Sequence, residues 1–199
     1  MAAGYDGRLA QALAFVGNSL LAPVSQIERV GLDGDFWQDF PDFGMPAVGR
    51  ACDRMAHIVE GFDASREEDV RDVSVEFTRL FVGPPSPAAA PWETMYRTGG
   101  HVGFGSATVE MQKRLEQLHL KVSNENRQYA DHIGLELLYL SELVRRASEG
   151  DEECAREASA FAAKMGEWVP KLRERISREA PGGYYEGVAG VACALLGCL

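Results

Sequence analysis

The run Gly83-Pro84-Pro85 constrains the fold most, because it separates two regions with helical patterns. Before it, apolar residues recur at helical spacing, at Val70, Val73, Phe77, Leu80 and Phe81. Neither proline can donate a helical hydrogen bond, so this helix must end at the run. From Val82 to Gly105 no helical period is present, and its Trp92, Tyr96 and Phe104 argue against disorder. The sequence therefore predicts a long proline- and glycine-rich aromatic loop between central helices.

The rest of the chain shows the spacing of amphipathic helices and no convincing strand alternation. The predicted helices are Asp6–Leu21, Met45 or Pro46 to Phe62, one from Ser65 to the Gly83 break, Thr108–Leu120, Asp131–Ala147, Glu152–Arg178 and a terminal helix after Pro181-Gly182-Gly183. Ser65 with Glu68 resembles a capping box, and Ser106 or Thr108 is expected to cap the helix that follows the loop. Pro170 is expected to kink the Glu152–Arg178 helix. We predict an all-α fold that forms a single helical bundle over residues 1–199. The motifs described below lie in residues 73–144.

The composition describes an ordinary globular chain with an acidic surplus. Thirty acidic and twenty basic residues among 199 give a net charge of −10. This charge disfavours nucleic acids and anionic membranes and favours cationic partners, although it could equally serve solubility. The four cysteines show no zinc-finger spacing, which favours a reducing cytoplasmic location. No signal peptide is expected at the start of the chain, and the apolar terminal segment is too short to span a bilayer.

The best binding candidates lie in the loop, at Pro91, Trp92 and Tyr96. Aromatic side chains in a proline-bracketed loop are rigid contact groups of the kind that anchor peptides. The alternative is that Trp92 fills the core of the bundle. Glu93 beside it could pair with an arginine or be solvated.

A second candidate group surrounds the start of the helix at Asp131. Asp131 is expected to be an N-cap or first-turn acid of that helix. His132 and Glu136 are four residues apart and share a helical face, so they could pair with each other or with a basic ligand. A metal would need a third ligand from elsewhere, and no His-Glu-x-x-His pattern is present, so no metal is predicted.

The hypothesis that the protein is an enzyme has weaker support in the sequence than peptide binding. The segment from Gly99 to Ser106 is rich in glycine and precedes a helix, but it lacks the lysine of a phosphate-binding loop and a preceding strand. We interpret it as a tight turn. No nucleophile elbow and no activated cysteine are evident, so no catalytic residue is predicted. A nucleotide hydrolase using this loop, or a metal hydrolase using His132 and Glu136, remains an alternative.

Taken together, the marked segments resemble the TorD/DmsD family of cytoplasmic chaperones for molybdenum-cofactor oxidoreductases. The resemblance is carried by Glu76-Phe77-x-x-Leu80-Phe81-Val82-Gly83-Pro84, by Pro91-Trp92-Glu93-Thr94-Met95-Tyr96, by Gly105-x-x-Thr108-Val109-Glu110-Met111, by Asp131-His132-x-x-x-Glu136-Leu137, and by the terminal helix around Tyr184 and Tyr185. It extends over residues 73–144, and the order and spacing of the motifs carry it more than any single one.

The resemblance implies an all-helical, non-enzymatic chaperone without a cofactor. Its partner would be the apo form of a molybdenum oxidoreductase subunit, bound at the N-terminal twin-arginine signal peptide and held until cofactor insertion. The peptide-binding region would include Pro91, Trp92, Glu93, Tyr96, Asp131, His132 and Glu136. A structural role, without contact to the peptide, would fall to Glu76, Phe77, Leu80, Phe81, Gly83 and Pro84.

One position departs from the family pattern. Members usually carry Glu-Pro two residues before the Asp-His pair, where this chain has Gln128-Tyr129. The replacement removes one acid from the expected arginine site and restores a backbone N–H. An alternative within the same resemblance is an assembly chaperone of the nitrate-reductase type, which would bind a subunit that is not exported.

Overall fold

The computed structural model describes residues 6–97, 104–121 and 128–199. Within these ranges the regular elements are helical, which confirms the predicted all-α class. The α-helices are α1 Gly7–Leu21, α2 Gly34–Gln38, α3 Pro46–Ile58, α4 Glu67–Phe77, α5 Ser106–Gln117, α6 Ile133–Ser148, α7 Glu152–Gly166, α8 Val169–Glu179 and α9 Tyr184–Leu196. Short 3-10 turns lie at Val24–Gln26, Arg29–Leu32 and Glu93–Met95, and a π-helical turn at Thr78–Val82 follows α4.

Helices α1, α6 and α9 form the centre of the structure. Helix α1 packs on α6 and α9, while α7 covers α6, and α3 and α8 cover α9. A side chain at Gly134 of α6 would place its Cβ 2.7 Å from the carbonyl oxygen of Gly17 on α1. The two backbones therefore approach closely because both positions are glycine.

One apolar cluster contains buried side chains from each of the helices α1 to α9. The segment between α1 and α3 contributes Trp37 of α2, which is fully buried and donates its indole N–H to the carbonyl of Gly31 at 2.8 Å. The aromatic residues of that segment thus pack onto the body of the protein. The organisation of residues 1–199 as one domain stays a prediction.

The helix predicted over Glu152–Arg178 is wrong, because the structure has two helices there. Helix α7 ends at Gly166 and α8 begins at Val169. Pro170 lies in the first turn of α8, where its missing N–H has no helical acceptor to serve. The proline therefore starts a new helix instead of kinking a long one.

The expected caps of two helices are also wrong. Helix α4 is preceded by Arg66, and Ser65 instead donates its backbone N–H and hydroxyl to the carboxylate of Asp63 at 2.8 and 2.6 Å. Helix α5 has Gly105 as its N-cap, and the Thr108 hydroxyl accepts from the Gly105 N–H at 3.3 Å. In both places a nearby polar group competes for the side chain that the sequence pattern assigned to the cap.

Among the described residues, no helix combines the length and apolar character needed to cross a bilayer. Helix α9, the most apolar terminal element, has 13 residues and is buried in the bundle.

Candidate functional site

The loop segment around Trp92 and the start of the helix at Asp131 meet in the structure. The N–H of Ile133 donates to the carbonyl of Pro91 at 2.8 Å, and the N–H of Glu93 donates to the carbonyl of Asp131 at 3.0 Å. Trp92 and His132 face each other as an isolated antiparallel bridge. The loop is thus fixed by backbone hydrogen bonds to the residues that precede α6.

Asp131 is fully buried and connects three elements. One carboxylate oxygen accepts from the backbone N–H and the hydroxyl of Thr94, at 3.0 and 2.6 Å, and the other accepts from the Thr108 hydroxyl at 2.8 Å. The expectation that Asp131 caps the helix is wrong, because these three donors from the loop and from α5 occupy its oxygens. Its place in the structure is to hold the loop and α5 against the start of α6.

His132 takes the capping position that was expected of Asp131. Its Nδ1 accepts the backbone N–H of Gly134 at 3.1 Å, which caps α6. Burial lowers the pKa of His132 to about 3, so the ring is neutral at physiological pH. The ring also lies edge-on to Trp92, with centroids 6.2 Å apart.

Behind the contact between the loop and the start of α6 lie two buried acids, Glu93 and Glu136, and two partly exposed cations, Arg97 and Lys164. Glu93 is 3% exposed and forms ion pairs with Arg97 at 2.8 Å and with Lys164 at 3.0 Å. Neither carboxyl oxygen of Glu136 makes a hydrogen bond of good geometry to a described residue. Burial and then the negative charge of Glu93 raise the pKa of Glu136 well above its usual value. The protonated, neutral form of Glu136 is therefore favoured, and Glu136 does not pair with His132.

Arg97 closes this group toward the surface. It contacts both carboxylate oxygens of Glu110, at 2.9 and 2.8 Å, in addition to Glu93. The hydrogen bonds from Arg97 lower the pKa of Glu110 to about 2. Glu93 and Glu110 are thus paired with cations of the same chain, and such pairing offsets the cost of burying Glu93.

An aromatic patch lies on the solvent side of the contact between the loop and the start of α6; it consists of Trp92, Phe104 and Tyr129. Phe104 and Tyr129 are 63% and 42% exposed, and Trp92 is partly buried. The ring of Tyr129 lies edge-on to Trp92 at 6.1 Å and to Phe104 at 6.5 Å. The residue that departs from the family pattern, Tyr129, is therefore the middle member of the patch.

Tyr96 lies in a different environment from the aromatic patch. Its hydroxyl donates to the carbonyl of Ala90 at 2.9 Å, and its ring stacks on Trp168 with centroids 5.5 Å apart. Burial raises the pKa of Tyr96 to about 12. Among the predicted site residues, the structure brings Pro91, Trp92, Glu93, Asp131, His132 and Glu136 together, while Tyr96 ties the loop to α8.

The motif between Glu76 and Pro84 supports the terminal helix. The Glu76 carboxylate accepts the backbone N–H of Tyr185 at 3.0 Å, at the start of α9. Phe77 and Phe81 each lie edge-on to Tyr185 at 5.4 Å, and Leu80 is fully buried. Gly83 has a φ of 95°, and a side chain there would contact the backbone of Ser86 at 2.8 Å. A positive φ of this size favours glycine, and it lets the chain reverse its direction before the exposed Pro84.

The enzymatic alternatives depend on residues in two places. Residues 99–103 of the predicted Gly99 to Ser106 turn lie outside the described residues, so the structure gives no account of that loop as a phosphate site. Within the described ranges, no group of three or more His, Cys, Asp or Glu side chains is arranged to hold a metal ion.

Several residues that build the site were not predicted to belong to it, and Thr108 was expected only as a helix cap. Thr94 and Thr108 satisfy Asp131, and Lys164 of α7 reaches Glu93 from more than 70 residues away in the sequence. The spacing Glu93–Arg97 is an i, i+4 pair that could have been noticed, but it lies where no helical period was visible. Lys164 carries no local signal, because only the packing of α7 on α6 brings it near.

Comparison with known proteins shows which family the chain belongs to. A family model described as "Nitrate reductase delta subunit" matches residues 45–174, roughly two thirds of the chain. Among curated proteins, the chain is 25% identical over 156 residues to "Chaperone protein TorD" of Vibrio parahaemolyticus serotype O3:K6 (strain RIMD 2210633), covering 75% of this chain and 70% of the relative. It is 27% identical over 158 residues to "Chaperone protein TorD" of Vibrio atlanticus (strain LGP32), with the same coverage. A protein of that name from Vibrio vulnificus (strain CMCP6) is 25% identical over 146 residues, covering 70% of this chain and 66% of the relative.

The matched region contains the loop, the start of α6 and Lys164, so it includes the whole buried network of the candidate site. The relatives bear the name of the chaperone family that the motifs predicted, which confirms the resemblance. The chain therefore belongs to the family described as nitrate reductase delta subunit, together with the TorD chaperones to which it is similar.

Proposed function

We propose that this protein is a maturation chaperone that binds the N-terminal twin-arginine signal peptide of a molybdenum-cofactor oxidoreductase subunit. It would hold the apo-enzyme in the cytoplasm until the cofactor is inserted, without catalysing a reaction. The chaperone class follows from the family and its relatives. The single observation that carries the peptide-binding site is the aromatic patch of Trp92, Phe104 and Tyr129.

The aromatic patch suits the apolar part of a signal peptide. Exposed aromatic rings that contact one another offer a large apolar area with few rotatable bonds, which is how peptide-binding surfaces gain affinity. Trp92 is held from behind by the hydrogen bonds that join the loop to α6. A bound peptide would therefore meet a surface that is already ordered.

The acids that were predicted to bind the peptide have a structural role in this proposal. Asp131 is occupied by three donors, Glu93 is paired with Arg97 and Lys164, and Glu136 is neutral. We propose that they position the loop instead of contacting the arginines of the peptide. Attraction of the cationic peptide would come from the net charge of −10, which acts over the whole surface.

A titration of the full chain with a twin-arginine signal peptide tests the proposal. Replacing Trp92 by alanine should weaken binding by about 1–3 kcal/mol, the range of an interface anchor. The matched control is Phe62→Ala, which removes another exposed aromatic ring, 38% exposed, between α3 and α4. Binding should be unchanged in this control. Equal affinities of the wild type and Trp92→Ala, or no binding of the peptide at low salt, would contradict the proposal.

The nitrate-reductase type of assembly chaperone is a second candidate, and the description of the matching family favours it. Such a protein would bind a subunit N-terminus that lacks paired arginines. The two candidates differ in the response to a peptide in which both arginines are replaced by glutamine. A large loss of affinity supports the export-linked chaperone, whereas equal binding of both peptides through the aromatic patch supports the second candidate.

A further inference from the structure

A second surface lies where α3, α8 and α9 meet, and it shares no residue with the aromatic patch. A groove of about 420 Å³ is lined there by Arg50 and Arg54 of α3 and by Arg173 of α8. The other lining residues are uncharged and mostly small: Ala47, Ala51, Gly187, Gly190, Cys193 and Ala194. Among the described residues that line it, none is acidic, although acids outnumber bases by ten in the chain.

The arginines of this groove, which we call the arginine groove, are poorly neutralised. Among the described residues, Arg50 and Arg173 form no ion pair and no side-chain hydrogen bond. Arg54 pairs with one carboxylate oxygen of Glu186 at 3.4 Å, while the other oxygen of Glu186 accepts the N–H of Gly182 at 2.7 Å. Arg97, by contrast, is paired with two carboxylates. Two of the three arginines of the arginine groove thus carry a positive charge that no described acidic residue pairs with, on a protein of net negative charge.

The guanidinium of Arg173 lies over Gly190 of α9. A Cβ at Gly190 would lie 3.6 Å from Nε and 3.8 Å from an Nη atom of Arg173, so the glycine leaves the space of about one methyl group between the helix and the guanidinium. The side chain is half-buried. A half-buried side chain has fewer conformations to lose when a ligand arrives than a fully exposed one, which lowers the entropic cost of binding.

From this geometry we infer that the arginine groove binds a carboxylate-bearing segment of a partner protein. Arginine forms paired, charge-assisted hydrogen bonds with carboxylates, and Arg50 and Arg173 both have donors to give. A polyanion such as a nucleic acid extends far beyond three arginines and would meet the acidic remainder of the surface. A short acidic segment can remain within the groove. The inference goes beyond the proposed peptide site, since it concerns a ligand of opposite charge at another place.

The test uses the full chain and a fluorescently labelled peptide of repeating Glu-Glu-Ala triplets, with a Gln-Gln-Ala peptide as the uncharged counterpart. Affinities are measured by fluorescence anisotropy at low ionic strength. The Glu peptide should bind and the Gln peptide should not. The double variant R50A/R173A should lower the affinity for the Glu peptide at least about tenfold, because two charged partners are lost. R50K/R173K should retain part of the binding.

The control is R71A/R178A, which removes the same charge from two exposed arginines that pair with neighbouring acids. Its affinity for the Glu peptide should differ less than about twofold from the wild type. Equal losses in both double variants would overturn the inference, because they would show a general charge effect. It would also be overturned if the Glu peptide bound no better than the Gln peptide, or if a single-stranded oligonucleotide bound more tightly through Arg50 and Arg173. Thermal unfolding of each variant establishes that the measured protein is folded.

Discussion

At the scale of single residues, the site consists of buried polar groups whose partners come from several elements. His132 uses its ring nitrogen to cap α6, and this leaves the carboxylate of Asp131 for Thr94 and Thr108. Glu136 is the exception, because burial keeps its carboxyl group neutral. A buried acid of this kind makes stability depend on pH, which leads to a specific prediction.

Replacing Glu136 by glutamine should stabilise the protein increasingly as the pH rises. The folded state keeps the proton of Glu136, whereas the unfolded chain releases it above a pKa of about 4.5. The stabilising contribution of the protonated form is complete below that pH and is lost as the pH rises toward the raised pKa. Glutamine has no such proton. The difference in free energy of unfolding should grow with pH above about pH 5, by up to about 1.4 kcal/mol per pH unit, measured by urea denaturation.

Glu142→Gln on the same helix is the control. Arg145, followed by Arg146, holds the pKa of Glu142 at about 2, so this carboxylate is ionised throughout that pH range in the folded state. The effect of the control should therefore be nearly constant above about pH 5. Protonation of His132 in the unfolded chain below about pH 6.5 affects the wild type and both variants alike. A difference for Glu136→Gln that stayed flat with pH would show that the acid is ionised in the folded protein.

At the scale of elements, the loop and the helices are positioned by close contacts that the helical period alone does not reveal. The start of α6 lies between the loop on one side and α1 on the other. Gly134 follows the bridge of Trp92 and His132 and touches Gly17 of α1. The approach of α1 therefore fixes where the aromatic patch is displayed.

Replacing Gly134 by alanine should destabilise the protein by about 1–3 kcal/mol, the usual cost of overpacking. The new Cβ would lie 2.7 Å from the Gly17 carbonyl oxygen and 2.8 Å from Cβ of Leu21. These atoms cannot move without displacing a helix. Urea denaturation followed by circular dichroism measures the effect.

Gly166→Ala provides the comparison, since this glycine also lies within an α-helix, at the last residue of α7, but has no atom within 4 Å of a new Cβ. It should be neutral or stabilise by up to about 1 kcal/mol, because alanine has the better helix propensity. If both variants changed stability by the same amount, the close approach of α1 and α6 would not be the reason for glycine at position 134.

At the scale of the whole molecule, charge is distributed unevenly around a common core. The net charge of −10 should attract a cationic peptide, while the arginine groove presents the opposite sign on another surface. The acids within the candidate site contribute little to that attraction, because Arg97 and Lys164 neutralise Glu93. The long-range attraction of the peptide by the net charge and its short-range contact with the aromatic patch can therefore be measured separately.

We expect the association rate of a twin-arginine peptide to fall steeply with salt, because ions screen charges beyond about 8 Å at physiological ionic strength. Trp92→Ala should act chiefly on the dissociation rate, since the ring contributes contact instead of charge. Stopped-flow fluorescence at several salt concentrations measures both rates. A peptide whose arginines are replaced by glutamine should show a much weaker salt dependence, and an association rate insensitive to salt for the native peptide would contradict this expectation.

Much of the fold could be predicted because it depends on local chemistry. Apolar spacing located the long helices, Gly83-Pro84-Pro85 ended the helical region before the loop, and the order of the motifs indicated the family. The errors lie at helix starts and at Pro170. At such places a side chain chooses between local and distant partners of similar energy, so spacing alone does not decide.

The sequence by itself determined the all-helical class, the long aromatic loop and the pair of segments that meet at the candidate site. Only the tertiary structure decided what each buried group does there. Thr94 and Thr108 lie 37 and 23 residues from Asp131 in the sequence. Lys164 lies on α7, whereas its partner Glu93 lies in the loop. A helical period reports which face of a helix is apolar, but it carries no information about which distant donor meets a buried acceptor. That choice is made when the helices pack, because each buried polar group must then find its partner or lose its charge.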